Sequence, residues 1–249
     1  MERFTGQRPV GARQKSLVLI LALFFLAIGI QTAKAQEPTT STEVWPEIDV
    51  YIKLKPKWRL FLMGTVSKSV EDGELRHADA FESQVGAHID YIPNPHVMLR
   101  AGYRFGTSLG NDEDPFKEHR LLTEQTLRKM LPGDLLVSDR NREDFRFVDG
   151  DFSVRYRNRV TIEREFHLFR ERTITPYVSG EIYYDTRSRA WNRNRESVGA
   201  QISLRRGPLR KMLLPDRQVI LDLYYMRQND SRSATRHVNA LGAALAFYF

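Results

Sequence analysis

The chain contains no cysteine. That excludes a disulfide framework, a thiol nucleophile and any cysteine-ligated metal. Apart from one stretch near the amino terminus, it also lacks any long apolar run. That stretch is itself short of the about 20 residues a spanning helix needs. A membrane form of the protein would therefore have to be a closed barrel, since only helices and barrels satisfy every backbone group in lipid. No dinucleotide fingerprint or phosphate-cradling glycine loop is present. The histidines, His77, His88, His96, His119, His167 and His237, show none of the paired spacings of a metal hydrolase. The pattern implies no cofactor and no metal.

An export signal is present. Arg3, Arg8, Arg13 and Lys15 precede the apolar run Ser16–Ile30, and the small-residue site Ala33-Lys34-Ala35 follows. This predicts a signal peptide over residues 1–35, cleaved before Gln36. Residues 36–43 read as a mobile periplasmic tail and residues 44–249 as one domain. The net charge is +7, but the leader holds five bases and one acid, so +3 remains beyond residue 35. Most of the basicity belongs to export, and no nucleic-acid partner is expected.

From Val44 onward the signal is period two. Val44, Pro46, Ile48, Val50 and Ile52 alternate with Trp45, Glu47, Asp49 and Tyr51. Similar alternation runs through Phe81–Tyr91, Val97–Phe105, Phe152–Arg157, Pro176–Asp185 and Gln218–Tyr225. Period two repeated this often means strands. One face of each strand is aliphatic and tends to end in an aromatic, as at Tyr91, Phe105, Tyr184 and Tyr225; the other carries Glu, Asp, Arg, His and Gln. Apolar-out, polar-in strands with aromatic girdles mark membrane barrels. The last strand places Leu241, Ala243, Leu245, Phe247 and Phe249 on one side and finishes on phenylalanine. Outer-membrane barrels end this way, so Phe247 and Phe249 are expected to form a membrane-assembly terminus.

The fold class is all-β: a single antiparallel transmembrane barrel of about 12 strands, with 10 as the alternative. About 11 strands are visible by alternation, and even numbers are preferred for such barrels. A further strand could lie in Glu118–Asp144, where alternation is weakest. Turns are expected at Lys55-Pro56-Lys57, Ile92–Pro95, Leu131–Asp134 and Asp149-Gly150. Longer links are expected over Lys68–Ala80, Gly106–Lys117, Thr186–Asn192, Arg206–Gln218 and Gln228–Arg236.

The densest chemistry is basic. Arg155, Arg157 and Arg159 share a face, spaced about 7 Å apart along the strand. Arg140, Arg142 and Arg146 add to it in alternate register, and Arg193 and Arg195 extend it. Two roles are open for this lumen ladder. It could hand small anionic solutes along, since basic rings select anions. It could instead be a charge zipper, closed by the acids Glu82, Asp90, Glu124, Glu181 and Asp185, with Glu143 also available. The zipper is the first expectation, because small barrels are filled by side chains.

Gly106-Thr-Ser108-Leu-Gly110 fits the G-x-S-x-G pattern, and His119 follows. That motif needs a strand-turn-helix context, which Asn111-Asp-Glu-Asp-Pro115 does not supply. Asn111–Asp114 reads as a solvated loop tip rather than a calcium loop.

The segments Glu118–Gln125, Asp139–Arg146, Arg155–Arg159 and Pro176–Glu181, with Trp45 and Lys57-Trp58, resemble the outer-membrane barrels grouped as domain of unknown function 2490. The resemblance spans Val44 to Phe249. It implies an exported outer-membrane barrel and no established activity, so no catalytic residue is carried over. Asn158 departs by falling on the side of its strand that should face lipid.

The expected function is a non-enzymatic barrel, either structural or a narrow passive pore. A lipid- or lipopolysaccharide-modifying hydrolase using Ser108 and His119, and a surface-interaction barrel using its loops, are the rivals. Expected partners are outer-membrane lipid and lipopolysaccharide, the export and barrel-assembly machinery, and small anionic solutes.

Overall fold

Alternating sequence becomes strand almost throughout. The computed structural model describes residues 39–71, 74–75, 81–109, 115–168, 172–204, 218–231 and 236–249. The signal peptide, the acidic run Asn111–Asp114 and the basic link from Arg205 to Arg217 lie outside the described residues. The strands are β1 (Thr39–Lys55), β2 (Trp58–Glu71), β3 (Glu74–Leu75), β4 (Phe81–Asn94), β5 (Val97–Leu109), β6 (Lys117–Leu131) and β7 (Leu135–Val148). They continue as β8 (Asp151–Arg164), β9 (Phe166–Leu168), β10 (Arg172–Asp185), β11 (Ala190–Ser203), β12 (Gln218–Asp230) and β13 (Arg236–Tyr248).

All strands except the short β3 and β9 form a closed ring, in which β1 pairs with β2 on one side and β13 on the other. The ring is an eleven-strand meander. β3 folds back on the end of β2. β9 continues β8 beyond Glu165 and keeps its register on β10, with Glu163 opposite Tyr177 and Phe166 opposite Ile174. The even closure expected from sequence gives way to an odd one. An odd meander brings its first and last strands together pointing the same way, so the β1–β13 seam is parallel while the other pairings are antiparallel. The carboxy terminus locks that seam: Phe249 N–H donates to the Tyr51 carbonyl at 2.8 Å, and Lys53 N–H donates to the Phe249 carbonyl at 3.0 Å.

The two faces are inverted relative to a soluble barrel. Ile48, Val85, Leu121, Val198 and Leu241 are each more than half exposed on the outside, whereas Asp90 and Asp144 are fully buried inside. A largely aliphatic exterior with a charged interior is the face pattern of membrane barrels. Aromatic residues cluster towards the rims: Trp58 against Tyr91 near one mouth, Phe147 against Phe152 near the other.

The mouths are distinguished by their chain ends. β1 begins at one, with Thr39 opposite Arg236, and Phe249 ends at the other. The turns at Pro56-Lys57 and Gly133-Asp134 lie at the Phe249 mouth, and Asp149-Gly150 lies at the Thr39 mouth. Asp149 and Gly150 both have positive φ, 51° and 91°. That makes a two-residue turn whose twist suits a hairpin. Asp149 also accepts the Lys117 N–H through its side chain at 2.8 Å.

Several boundaries expected from the sequence shift. The tail placed at 36–43 is strand from Thr39 onward, because its backbone is paired with β13 on one side and, from Thr42, with β2 on the other. β2, β5 and β12 run past the points where links were expected, to Glu71, Leu109 and Asp230. The weakly alternating stretch Glu118–Asp144 belongs to two long strands, β6 and β7.

Candidate functional site

The site is the lumen, and its arginine wall comes from adjacent strands. Period two turns Arg140, Arg142 and Arg146 of β7 and Arg155, Arg157 and Arg159 of β8 inward. The pairing sets Arg142 beside Arg157 and Arg140 beside Arg159. Six guanidinium groups at this spacing would repel strongly unless matched. Glu181 of β10 sits in register with Arg159 and provides the central match. It accepts from Arg140 Nη2 at 2.8 Å, Arg157 Nε at 3.0 Å and Arg159 Nη2 at 2.8 Å, while the Tyr183 hydroxyl donates to its second oxygen at 2.7 Å.

The other acids repeat the pattern. Asp185 accepts two bonds from Arg155, at 3.0 and 2.7 Å, and lies 3.5 Å from Arg146. Asp144 holds Arg142 Nε at 2.6 Å and faces Arg157 at 3.7 Å. Glu118 of β6 takes Arg120 at 2.8 Å and Arg146 at 2.5 Å. Glu124 stands 3.8 Å from Arg140. Charge-assisted bonds of this geometry are strong, and leaving either partner alone would be costly.

A second cluster packs inside the barrel near the Phe249 mouth. Tyr51 is stacked between Phe61 and Tyr248, each centroid 4.6 Å away. Asp90 holds Arg59 at 2.7 Å and Arg100 at 2.6 Å. Arg100 lies 4.0 Å over the Phe61 ring and Arg59 4.4 Å over Tyr51, so charge and aromatic face are used together. His88 packs on Phe61, and its Nε2 accepts the Arg104 Nε–H at 3.1 Å. Tyr177 donates to Asp222 at 3.1 Å on the far side of the same level. These residues form a floor.

Between the floor and the Thr39 mouth lies a cavity of about 620 Å³. Glu43, Glu47 and Asp49 of β1 line one side of it, and the arginines of β7 and β8, half a turn around the ring, line the other. Arg104 projects into it and makes no ion pair among the described residues. Arg142 also lines it, with a buried Nη2 that has no hydrogen-bond partner among the described residues.

The ladder residues Arg140, Arg142, Arg146, Arg155, Arg157 and Arg159 thus meet in one lumen with Glu124, Glu181 and Asp185. Asp90 is buried apart from them, in the floor. Glu82 lines the cavity but forms no ion pair among the described residues, because it sits at the mouth where β4 begins. Glu143 is a correction: its odd position turns it outward, where it accepts the Thr123 hydroxyl at 2.6 Å. Ser108 and His119 do not meet. Ser108 is buried on the lumen side of β5, whereas His119 faces outward and contacts the Tyr103 hydroxyl at 2.7 Å. The floor was missed from sequence, although Tyr51 and Tyr248 stand on the polar side of their strands and so signalled aromatics turned inward.

A family described as a protein of unknown function, DUF2490, has a model that matches residues 42–239. The chain belongs to the DUF2490 family. The DUF2490 match begins in β1 and ends in β13, so it takes in the ring except the first residues of β1 and most of β13. Among solved structures, the β domain of the Bordetella autotransporter BrkA is similar at 14% identity and a TM-score of 0.45, over 74% of this chain and 82% of that one. No curated protein matches the chain.

Proposed function

We propose that the protein is a non-enzymatic barrel of the bacterial outer membrane, shut at the Phe249 mouth and open as a blind, charged cup at the other. The aliphatic exterior and the closed meander of eleven strands support the location. The observation that carries the closed reading is Glu181. The arginines that could have formed an anion track converge on it and on neighbouring acids, and the Tyr51–Phe61–Tyr248 stack lies beyond them. Purified protein in a planar bilayer should therefore give no sustained current. The double variant Tyr51→Ala, Phe61→Ala should open the floor and conduct. Steady wild-type current that loses anion preference in Arg157→Glu would favour a passive pore instead.

A second reading is favoured by Arg104 and by the unpartnered Nη2 of Arg142. These groups suit a small anion, a phosphate or carboxylate, entering the cup. Inorganic phosphate should then raise the unfolding midpoint of the wild type and not that of Arg104→Gln. Equal shifts in both proteins would dismiss it.

A further inference from the structure

At mid-height, most of the outer surface is aliphatic. Ile48 and Val50 on β1, Leu60 and Leu62 on β2, Val85 and Ile89 on β4, and Val178 and Ile182 on β10 are typical. Three adjacent strands break this rule at their centres. Thr123 and Gln125 of β6, Asp139, Asn141 and Glu143 of β7, and Asn158 of β8 all face outward.

These side chains are organised. Asn158 Nδ2 donates to Asp139 at 2.6 Å and to Asn141 at 3.0 Å. Asn141 Nδ2 donates to the second Asp139 oxygen at 3.3 Å, and the Tyr156 hydroxyl donates to Asn141 Oδ1. On the same strand, Leu135 and Val137 lie below the network; above it Glu143, which holds the Thr123 hydroxyl, extends the polar patch before Phe145 and Phe147. Polar groups at the depth of the acyl chains are destabilising unless protein covers them.

We propose that β6–β8 form the interface of a homodimer in the membrane, with a second copy of this chain as the occupant. The claim rests on the membrane placement above but not on whether the lumen is closed. A two-fold axis along the membrane normal through β7 lays β6 of one copy against β8 of the other at matched depth. The Gln125 amide, which has no hydrogen-bond partner among the described residues, then meets the Asn158 oxygen of the other copy, which both Asn158 Nδ2 bonds leave unused. Hydrogen-bonding side chains join membrane segments in this way because lipid supplies no competing partner. The carboxyl of Asp139 would meet its own copy across the axis, and that contact opposes association.

The test uses the absence of native cysteine. Val137→Cys, beside the network on β7, should crosslink two copies in vesicles. Val50→Cys, on the opposite side of the ring, should not. Adding Asn141→Leu and Asn158→Leu should lower the Val137→Cys crosslink about tenfold, the effect of losing one or two hydrogen bonds. Asp139→Asn should raise it. Equal crosslinking at positions 137 and 50, a sole crosslink to a different protein, or a yield unmoved by the amide replacements would each overturn the proposal. The single-cysteine comparison keeps the wild-type network, so it stands even if the double leucine variant folds poorly.

Discussion

The ring of Tyr224 sits over Gly242, its partner on the neighbouring strand, and leaves no room there for a Cβ. The chain lines its lumen with aromatics by seating them on glycine, and Gly102 beneath the His88 ring repeats the device. Gly242→Ala should force the ring aside and cost about 1–3 kcal/mol, the usual range for overpacking. Denaturant unfolding in detergent would measure it. A change within error would mean that the ring is not held there.

Glu181 should be the most sensitive single position in the lumen. Glu181→Gln keeps the shape and removes the charge that matches Arg140, Arg157 and Arg159. Breaking a buried ion cluster on one side costs about 3–5 kcal/mol. Glu82→Gln, at the mouth and outside the lattice, should change the unfolding free energy by less than about 0.5 kcal/mol. Comparable losses in the two variants would refute the lattice.

The parallel seam separates the ends of the barrel wall. Thr40→Cys at one mouth and Lys55→Cys at the other are both exposed positions. With Phe249 on the periplasmic side, a membrane-impermeant thiol reagent added to intact cells should modify Thr40→Cys. Lys55→Cys should react only after permeabilisation. The reverse pattern would invert the orientation.

Removing Phe249 deletes both backbone bonds that tie the terminus to Tyr51 and Lys53. Assembly should slow, seen as a delayed appearance of the heat-modifiable folded band on gels. Unaltered assembly kinetics would deny the terminal residue a part in closure.

Ser108 and His119 point to opposite sides of the wall. A serine-reactive probe should show no labelling that Ser108→Ala abolishes, and labelling that disappears in that variant would reopen the hydrolase reading.

How much of this was legible follows from where the alternation is clean. Val44–Ile52, Val97–Phe105 and Pro176–Asp185 pair aliphatic with polar at each step, and their inward and outward faces could be read directly. β6 and β7 were obscured because Thr123, Gln125, Asp139, Asn141 and Glu143 make the lipid side polar too. The contrast on which a strand is recognised vanishes there, and Glu143 was assigned to the wrong face for the same reason. The arginine ladder was visible from spacing alone. Its convergence on Glu181 was not, since that depends on the register between β7, β8 and β10. The odd closure was visible in the count of about 11 strands, but the preference of such barrels for even numbers overrode it.

The interlocked acids and bases of the wall have an electrical consequence. Each guanidinium there finds its counter-charge within one side chain's reach, so the field it projects falls away over a short distance. Dissolved electrolyte then has little left to screen. Raising salt should therefore hardly move the contribution of this lattice to the resistance of the barrel to unfolding.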